Sequence, residues 1–294
     1  MKDKIIALID KEVPLIYREG LKALIRPTIR VMTGKRFDSS IPMGSSKFGG
    51  VPHLPAGMEW PCSQTDQQDY RFVAQFNLAD VALYDEEASL PKAGMLYFFV
   101  DDSNLGKVIY SDLPTDKLVL SELPESFRPK EKSFFQKIFS FNSPQYIQEE
   151  CQVEFKREYS LPDSASIYID ILKEQFKGQA GVDDDFYPED FIEALDKITK
   201  PRDNDADHHL LGHIQPMQSS SKEWEVAFPG QREKVKFTQE ETKVLTEWIL
   251  LFQLDSDETA GTVWGDSGRS YLLIRKEALK NGDFSDVRAT MDCC

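Results

Sequence analysis

The stretch Phe72–Leu78, FVAQFNL, places a polar amide inside an apolar run, and Ile249–Asp255, ILLFQLD, does the same. Runs that combine Val, Ile, Leu and Phe favour β-strands or buried segments. We interpret both stretches as strands. Gln75 and Gln253 are then polar side chains placed among apolar neighbours.

Each of these amides has a second polar residue two positions later. Residues two apart in a strand project to the same face, so Gln75 shares a face with Asn77, and Gln253 shares one with Asp255. If that face is buried, the amides need hydrogen-bond partners. We expect the partners to be backbone groups of the glycine-proline loop before Trp60 and of its counterpart in the second half.

The order of features around the two amides is the same in both halves of the chain. The interval from glycine to tyrosine is three residues in each, whereas the interval from glycine to glutamine is 25 in the first and 41 in the second. Such stretching indicates loop insertions between two copies of one β-rich unit, packed about a pseudo-twofold axis. The matched residues are Gly50, Trp60, Gln75, Gly94 and Tyr97, against Gly212, Trp224, Gln253, Gly268 and Tyr271.

The remaining patterns predict an α+β protein, mainly antiparallel sheet, with peripheral helices and the amino-terminal helices first. Helical spacing fills the first 26 residues, interrupted by Pro14 and ended by Pro27. Further strands are predicted in PTIRVMTG, GMLYFFVD, KVIYSD, KLVLSEL, CQVEFKREYSL and Trp248–Leu254, and further helices in SIYIDILKEQF and PEDFIEALDKI.

We divide the chain, as one compact unit over 1–294, into four segments. They are amino-terminal helices and a strand (1–37), a first β-rich half (38–175), an acidic helical connector (176–207) and a second β-rich half (208–294). Between Asp183 and Asp207 there are ten acids and three bases. This segment is either a solvated connector or a docking strip for a basic partner.

Composition limits the partners and the compartment. The net charge of -15 disfavours binding to nucleic acid or to an anionic membrane. The apolar run Ile5–Ile9 is too short for a signal-peptide core, and no run approaches the roughly 18 apolar residues of a membrane span. Four cysteines without a C-x-x-C pair indicate reduced thiols, so we expect a cytoplasmic protein with no cofactor and no bound metal.

The stretch WGDSGRS, Trp264–Ser270, contains the Gly-Asp-Ser-Gly that surrounds the nucleophile of chymotrypsin-like proteases. Arg269 and Ser270 replace the Gly-Pro that follows in that signature. Ser267 matches Ala93 in the overlay of the two halves, just before a strand. We therefore expect a turn here and not a nucleophile.

Two other motif-like stretches fail on their required residues. The stretch Gly44–Gly50 lacks the Lys and Ser/Thr of a phosphate loop, and Pro52 prevents a helix from following. Asp203, Asp205 and Asp207 begin like a calcium loop, but His208 and Ile214 stand where glycine and glutamate are needed.

Two clusters remain as candidates for metal or acid/base chemistry. His208, His209 and His213 would bind a metal only on a helix, which Gly212 and Pro216 oppose, so we expect surface histidines. The second cluster consists of four carboxylates near Trp264, namely Asp255, Asp257, Glu258 and Asp266. Three interpretations stay open: a site for a hard cation, an acid/base pair, or a polar turn at a sheet end.

The recurrent amides also define a candidate ligand cleft, which is the functional alternative to a purely structural role for them. Its predicted lining residues are Trp60, Gln75, Asn77, Gln253, Asp255, Trp264 and Asp266.

Six long strings carry a family resemblance: SKFGGVPHLPAGMEWP, FVAQFNLAD, LPKAGMLYFFVD, HHLLGHIQPMQ, LLFQLDSD and WGDSGRSYLLIRKEALKNGDFSDVRATMDCC. Together they resemble the YwqG family of bacterial proteins, a domain of unknown function, from about Ser46 to the carboxyl end. The resemblance implies a bacterial cytoplasmic α+β protein. It implies no catalytic residues, and the frequent location near toxin–immunity gene clusters suggests an interaction role.

Two hypotheses for function follow. The first is a non-catalytic binding or immunity-type protein that recognises a basic partner or a small ligand, because an acidic surface steers basic partners toward it. The second is a metal-assisted hydrolase that uses Asp255, Asp257 and Asp266, or the stretch from His208 to His213.

Overall fold

A computed structural model describes residues 2–36, 41–63, 67–101, 106–128, 150–176, 189–199, 206–218, 220–234 and 236–293. Ten strands form one sheet in the order β12-β11-β10-β9-β1-β8-β2-β4-β5-β6, and β3 pairs with β7 in a two-stranded ribbon. The strands are β1 (Arg26–Arg36), β2 (Lys47–Phe48), β3 (His53–Pro55), β4 (Arg71–Asn77), β5 (Met95–Val100), β6 (Gly106–Ser111), β7 (Leu118–Leu120), β8 (Cys151–Ser160), β9 (His209–Leu210), β10 (Trp248–Asp255), β11 (Arg269–Arg275) and β12 (Arg288–Asp292).

The helices lie outside the sheet. They are α1 (Lys2–Glu12), α2 (Arg18–Ala23), α3 (Leu78–Val81), α4 (Ile167–Phe176), α5 (Glu189–Thr199), α6 (Lys222–Ala227), α7 (Gln239–Glu247) and α8 (Lys276–Lys280), with 3₁₀ turns at Leu15–Tyr17, Thr115–Lys117 and Glu125–Phe127. Thr238 begins α7 with a capping box, in which its hydroxyl accepts from the Glu241 backbone N–H.

The ten-stranded sheet is antiparallel and nearly closes into a barrel. Its edge strands β6 and β12 approach each other, because a side-chain carbon built on Gly106 would lie 2.7 Å from Leu272 and 3.2 Å from Ala289. A larger residue at this point of β6 would require the Leu272 side chain to move. Because β6 and β12 are close, the sheet curves around one interior.

A single apolar core fills that interior and includes side chains from both halves of the chain. The Phe252 ring lies 5.1 Å from the Phe76 ring and 4.7 Å from the Phe98 ring, between centroids. Phe48 adds an edge contact to Phe76 at 6.0 Å. Aromatic packing of this kind stabilises beyond the area that it buries, so the two halves depend on each other.

A second core lies between the amino-terminal helices and the connector helix. Ile9, Tyr17 and Leu21 pack there with Leu172 of α4 and Phe191 of α5. The apolar spacing of the first 26 residues therefore faces other helices, as the amphipathic pattern requires.

Most predicted elements are confirmed. The two amino-terminal helices end before Pro27, which begins the predicted strand in β1, and Trp248–Leu254 lies within β10. The residues before Trp248 form helix α7, which ends at Glu247, and no helix was predicted there. β1 belongs to the segment that we grouped with the amino-terminal helices, yet it lies between β9 and β8 in the sheet.

Parts of three predictions lie outside the described residues. These are 183–188 and 200–205 of the acidic stretch, including Asp203 and Asp205, the Pro188 start of the connector helix, and Cys294. Cys62, Cys151 and Cys293 are free thiols. No helix among the described ranges combines the length and apolar character needed to cross a membrane.

Candidate functional site

Gln75 is fully buried and is held by backbone groups of the loop that covers β4. Its Oε1 accepts from His53 N at 2.8 Å, and its Nε2 donates to Ser45 O at 2.8 Å. The Tyr97 hydroxyl donates to His53 O at 2.6 Å from the neighbouring strand. The expected partners of this amide are confirmed, because a buried amide is costly unless its groups are bonded.

Gln253 makes the same kind of contacts in the second half. Its Oε1 accepts from Gln215 N at 2.9 Å, and its Nε2 donates to Asp207 O at 3.0 Å. The Tyr271 hydroxyl lies 3.4 Å from Gln215 O and donates to Asp292 at 2.7 Å. In both halves a buried glutamine and a tyrosine hold the covering loop against the sheet.

Lys47 lies opposite Gln75 in the sheet, and His209 lies opposite Gln253. Each of them also bonds the turn that follows its own strand. Lys47 Nζ donates to Val51 O at 2.9 Å, and His209 Nε2 lies 3.1 Å from His213 O. These long polar side chains fill equivalent places beneath the covering loops. Their role is therefore to hold the turns.

Two other residues of the predicted cleft serve local structure. Asn77 Nδ2 donates to Gly44 O at 3.1 Å, and its Oδ1 accepts from Ala79 N to cap α3. Trp60 donates from Nε1 to Tyr70 O at 2.7 Å.

The predicted carboxylate cluster is divided between an ion pair of Asp255 and a hydrogen bond from a histidine ring to Asp257. Asp255 pairs with Arg269 at 2.9 Å, and Asp257 lies 3.2 Å from His208 Nε2. Within the residues that the structure describes, no group of three or more His, Cys, Asp or Glu side chains is placed to hold a metal ion.

Trp264 and Asp266 differ in burial and do not form one site. Trp264 is buried and donates from Nε1 to Asp255 O at 3.2 Å, whereas Asp266 is exposed in the turn 265–267. Ser267, exposed in the same turn with a φ of 57°, is a turn residue, as expected.

Asp207 is the centre of the charged network around β9. Arg30 pairs with it at 2.9 Å, His209 Nδ1 lies at 3.3 Å and Arg269 at 3.8 Å. Burial acts to raise the pKa of Asp207, but His209 and the two guanidinium groups lower it by more. The pKa therefore lies well below its ordinary value, and the carboxyl stays ionised.

The expectation of surface histidines is wrong. His208, His209 and His213 are all buried, because the chain around β9 passes beneath the covering loop and between strands β1 and β10. Burial, followed by the nearby Arg26 charge, lowers the pKa of His213 to about 3. Its Nε2 donates to Leu24 O at 2.7 Å, and the lowered pKa keeps the ring neutral at neutral pH.

An open cavity of about 500 Å³ lies beside this network, where β1 and β10 begin. None of the seven residues of the predicted cleft lines it. Its lining residues are Arg26, Pro27, Ile29, Tyr84, Asp85, Glu86, Glu87, Ala88, Ser89, Leu211, Gly212, Ile249, Leu250, Lys276, Leu279 and Lys280.

The cavity exists because β9 is only two residues long. This strand pairs with Ile29 on one side and Phe252 on the other, and then Leu211 and Gly212 leave the sheet with φ values of 60° and 78°. The earlier residues of β1 and β10 therefore have no strand between them. The gap is closed by α8 and by the loop 84–89.

Two of the four non-glycine residues with a left-handed φ in the described part of the chain line this gap. Leu211 and Ala88 both line the cavity and both have the left-handed φ that favours glycine, at 60° and 51°. The corresponding turn after β2 has Gly49 at a φ of 64°. A leucine in this conformation costs about 1 kcal/mol relative to glycine, and strain of this kind often marks functional sites.

The charged residues of the cavity lining are three cations, Arg26, Lys276 and Lys280, and three acids, Asp85, Glu86 and Glu87. The Arg26 guanidinium stacks 4.2 Å from the Tyr168 ring centroid at one wall, and Lys276 is exposed at the mouth. The surrounding protein and then the Arg26 charge lower the pKa of the Lys276 ammonium. Arg26 and Lys276 are therefore close enough to repel each other.

Sequence reasoning missed this cavity because its lining residues are distant along the chain. The charged residues Arg26 and Lys276 lie in ordinary-looking segments. The only local signal was Leu211 at the position that corresponds to Gly49, which becomes visible when the two halves are aligned on their strand pairs.

The fold and the cavity define a class: an α+β protein built on a nearly closed antiparallel sheet, with a ligand-sized cavity at a break in that sheet. The chain belongs to a family described as a domain of unknown function (DUF1963), whose model matches residues 46–293. A comparison with curated proteins found no match.

Proposed function

We propose that this protein is a non-catalytic binding protein and that the cavity between β1 and β10 holds a small ligand. The cavity volume of about 500 Å³ is the observation that carries the proposal. Small-molecule sites enclose about 300–1,000 Å³, with apolar walls and a few polar groups. Two of the walls are strand ends, which hold their side chains more rigidly than free loops.

The lining chemistry supports binding over catalysis. The lining contains neither histidine nor cysteine, and Asp85 is occupied by a hydrogen bond from Leu90 N at 2.8 Å. Glu86 accepts from the Tyr159 hydroxyl at 2.6 Å. Carboxylates engaged in this way position the loop, whereas a general base must reach the proton that it abstracts.

A duplication is our proposal for the origin of the fold. The matched contacts around the two glutamines support it, as do the bulges in β4 and β10. These fall between Phe72 and Ala74 and between Leu250 and Phe252, at the same distance before each glutamine. In this proposal the cavity arose where the second copy replaced the turn glycine with Leu211.

The narrower assignment to the YwqG family, and with it a bacterial and cytoplasmic protein, also remains a proposal. The long strings from Ser46 to the carboxyl end support the assignment. The free thiols of Cys62, Cys151 and Cys293 agree with a reducing compartment.

A thermal-shift screen with small organic molecules tests the proposed function, because a ligand that binds the native state raises the melting temperature. Ile249→Trp fills the cavity and should abolish the rise, whereas Val263→Trp, at an exposed position outside the lining, should retain it. If Ile249→Trp fails to fold, Ser89→Trp narrows the cavity from the opposite wall. An unchanged rise in a filled variant would show that the ligand binds elsewhere.

A basic protein partner is a second candidate, in keeping with an immunity-type role. The net charge of -15 favours it, and so does the exposed Leu83, which is 72% exposed and lies next to the acidic loop at the cavity mouth. Association should then be fast and salt-sensitive. Pull-down from a host lysate at low and high salt tests it, and recovery of no basic protein at low salt would contradict it.

A further inference from the structure

Two cations in the cavity have no acidic partner. Within the described part of the chain, Arg26 and Lys276 form no ion pair, although the protein has 50 acidic side chains against 35 basic ones. In an acidic protein most cations find a carboxylate. The absence of one at two neighbouring cavity residues therefore needs an explanation.

Two acids outside the lining act on these cations electrostatically, and each also lies close to another polar group. Glu247 attracts Lys276 from a distance, but its carboxylate lies 4.0 Å from Arg275. Glu223 attracts Arg26 in the same way, and it accepts a hydrogen bond from Ser221 at 3.0 Å. Neither acid neutralises the cavity, so the two positive charges remain available.

Three acids, Asp85, Glu86 and Glu87, lie at the opposite rim. Asp85 and Glu86 hold the loop 84–89 through their hydrogen bonds to Leu90 and Tyr159. These bonds use one oxygen of each carboxylate, and Glu87 is exposed in the same loop. A cationic ligand would have to compete for those two oxygens, whereas an anionic ligand meets unpaired donors.

The remaining lining is apolar. Ile29, Leu211, Ile249 and Leu279 cover the surface between the two cations and the rim. Burial of an apolar group against such a surface stabilises by about 25 cal/mol per Å² of area removed from water. The cavity thus offers cationic donors at one side and an apolar surface beside them.

We propose that the cavity binds an organic anion, a carboxylate or phosphate ester with a small apolar body, and that Arg26 and Lys276 hold its charged group. The guanidinium, fixed against Tyr168, is preorganised to donate paired hydrogen bonds to a planar or tetrahedral oxyanion. Lys276 at the mouth adds a mobile point charge. Binding relieves the repulsion between the two cations.

This inference rests on the proposed function and narrows it. The test uses the full chain and three probes with the same tail: hexanoate, hexanamide and hexylammonium, together with phenyl phosphate as a second anion. Calorimetric titration should detect binding of at least one anion and weaker or no binding of the amide and the ammonium. Ile249→Trp should abolish the binding.

Charge variants then assign the residues. Arg26→Gln and Lys276→Gln should each weaken anion binding by about tenfold or more, the size of a lost hydrogen bond to a charged group. Lys276→Arg should retain it. Lys243→Gln, which removes the same charge from an exposed position on α7, is the matched control and should bind like the parent protein.

A stability measurement separates a binding role from a structural one. If Lys276 serves a ligand, Lys276→Gln without ligand should unfold at the same or a slightly higher urea concentration, because one of two repelling charges is gone. Preferential binding of hexanamide or hexylammonium in the cavity would overturn the anion proposal and leave the proposed function standing. If no probe of any charge binds, both fail.

Discussion

The buried amide of Gln75 provides the sharpest test of how the covering loop is held. Gln75→Met keeps the length of the side chain but removes the acceptor of His53 N and the donor to Ser45 O. His53 Nδ1 keeps its bond from Gly44 N at 3.0 Å, so two backbone groups lose their partners. Each buried group left unsatisfied costs about 1–3 kcal/mol, so we expect unfolding to become easier by about 2–6 kcal/mol.

Urea denaturation, followed by circular dichroism and by tryptophan fluorescence, measures this change. The midpoint should fall while the slope with urea stays the same, because the surface exposed on unfolding hardly changes. Gln253→Met should cost a similar amount, since it leaves Gln215 N and Asp207 O unpaired. Gln239→Met, at an exposed position on α7, is the control and should change stability by less than about 0.5 kcal/mol. A loss below about 1 kcal/mol for Gln75→Met would refute the reasoning.

Three further predictions concern protonation, a turn and the core. The pKa of His213 is lowered to about 3 in the folded state, so the unfolded chain binds more protons below pH 6.5. The free energy of unfolding should therefore fall as the pH drops from 6.5 toward 4, by at most about 1.4 kcal/mol per pH unit from this group. Urea midpoints of His213→Gln should depend less steeply on pH. Gly94→Ala should lower the free energy of unfolding by about 2 kcal/mol or more, because its φ is 96° and the new carbon would lie 2.4 Å from a backbone oxygen. Gly57→Ala is the comparison, since Gly57 has a φ of 84° but open space around it. It should lower the free energy of unfolding by about 1 kcal/mol in the same urea assay. Phe252→Ala should lower the free energy of unfolding by about 3–5 kcal/mol, and a loss under 1 kcal/mol would show that this ring is not central to the core.

Local pattern was sufficient for most of the secondary structure. The apolar runs around Gln75 and Gln253 became β4 and β10, and the proline positions marked where the first helices stop. The hydrogen-bond partners of the amides were also predictable, because burial of a polar group leaves few alternatives. Local pattern failed for β9, where two residues carry no detectable periodicity.

The candidate sites show the limit of the same reasoning. Polar residues within apolar runs were taken as a possible cleft, yet Gln75 and Gln253 are fully buried and bonded to backbone. The histidines were expected at the surface, but His208 and His209 lie inside the network around Asp207. Burial depends on what covers a segment, which the segment itself does not specify.

By itself, the sequence determined most of the longer strands, the helices α1, α2, α4 and α5, and the need for two buried amides to be bonded, because these depend on neighbours within a few residues. Only the tertiary structure decided that the sheet breaks beside a two-residue strand and that Arg26 and Lys276 line the same gap. These residues are some 250 positions apart in the chain. Their proximity comes from strand order and barrel closure, which are set by the packing of the whole core and not by any one segment.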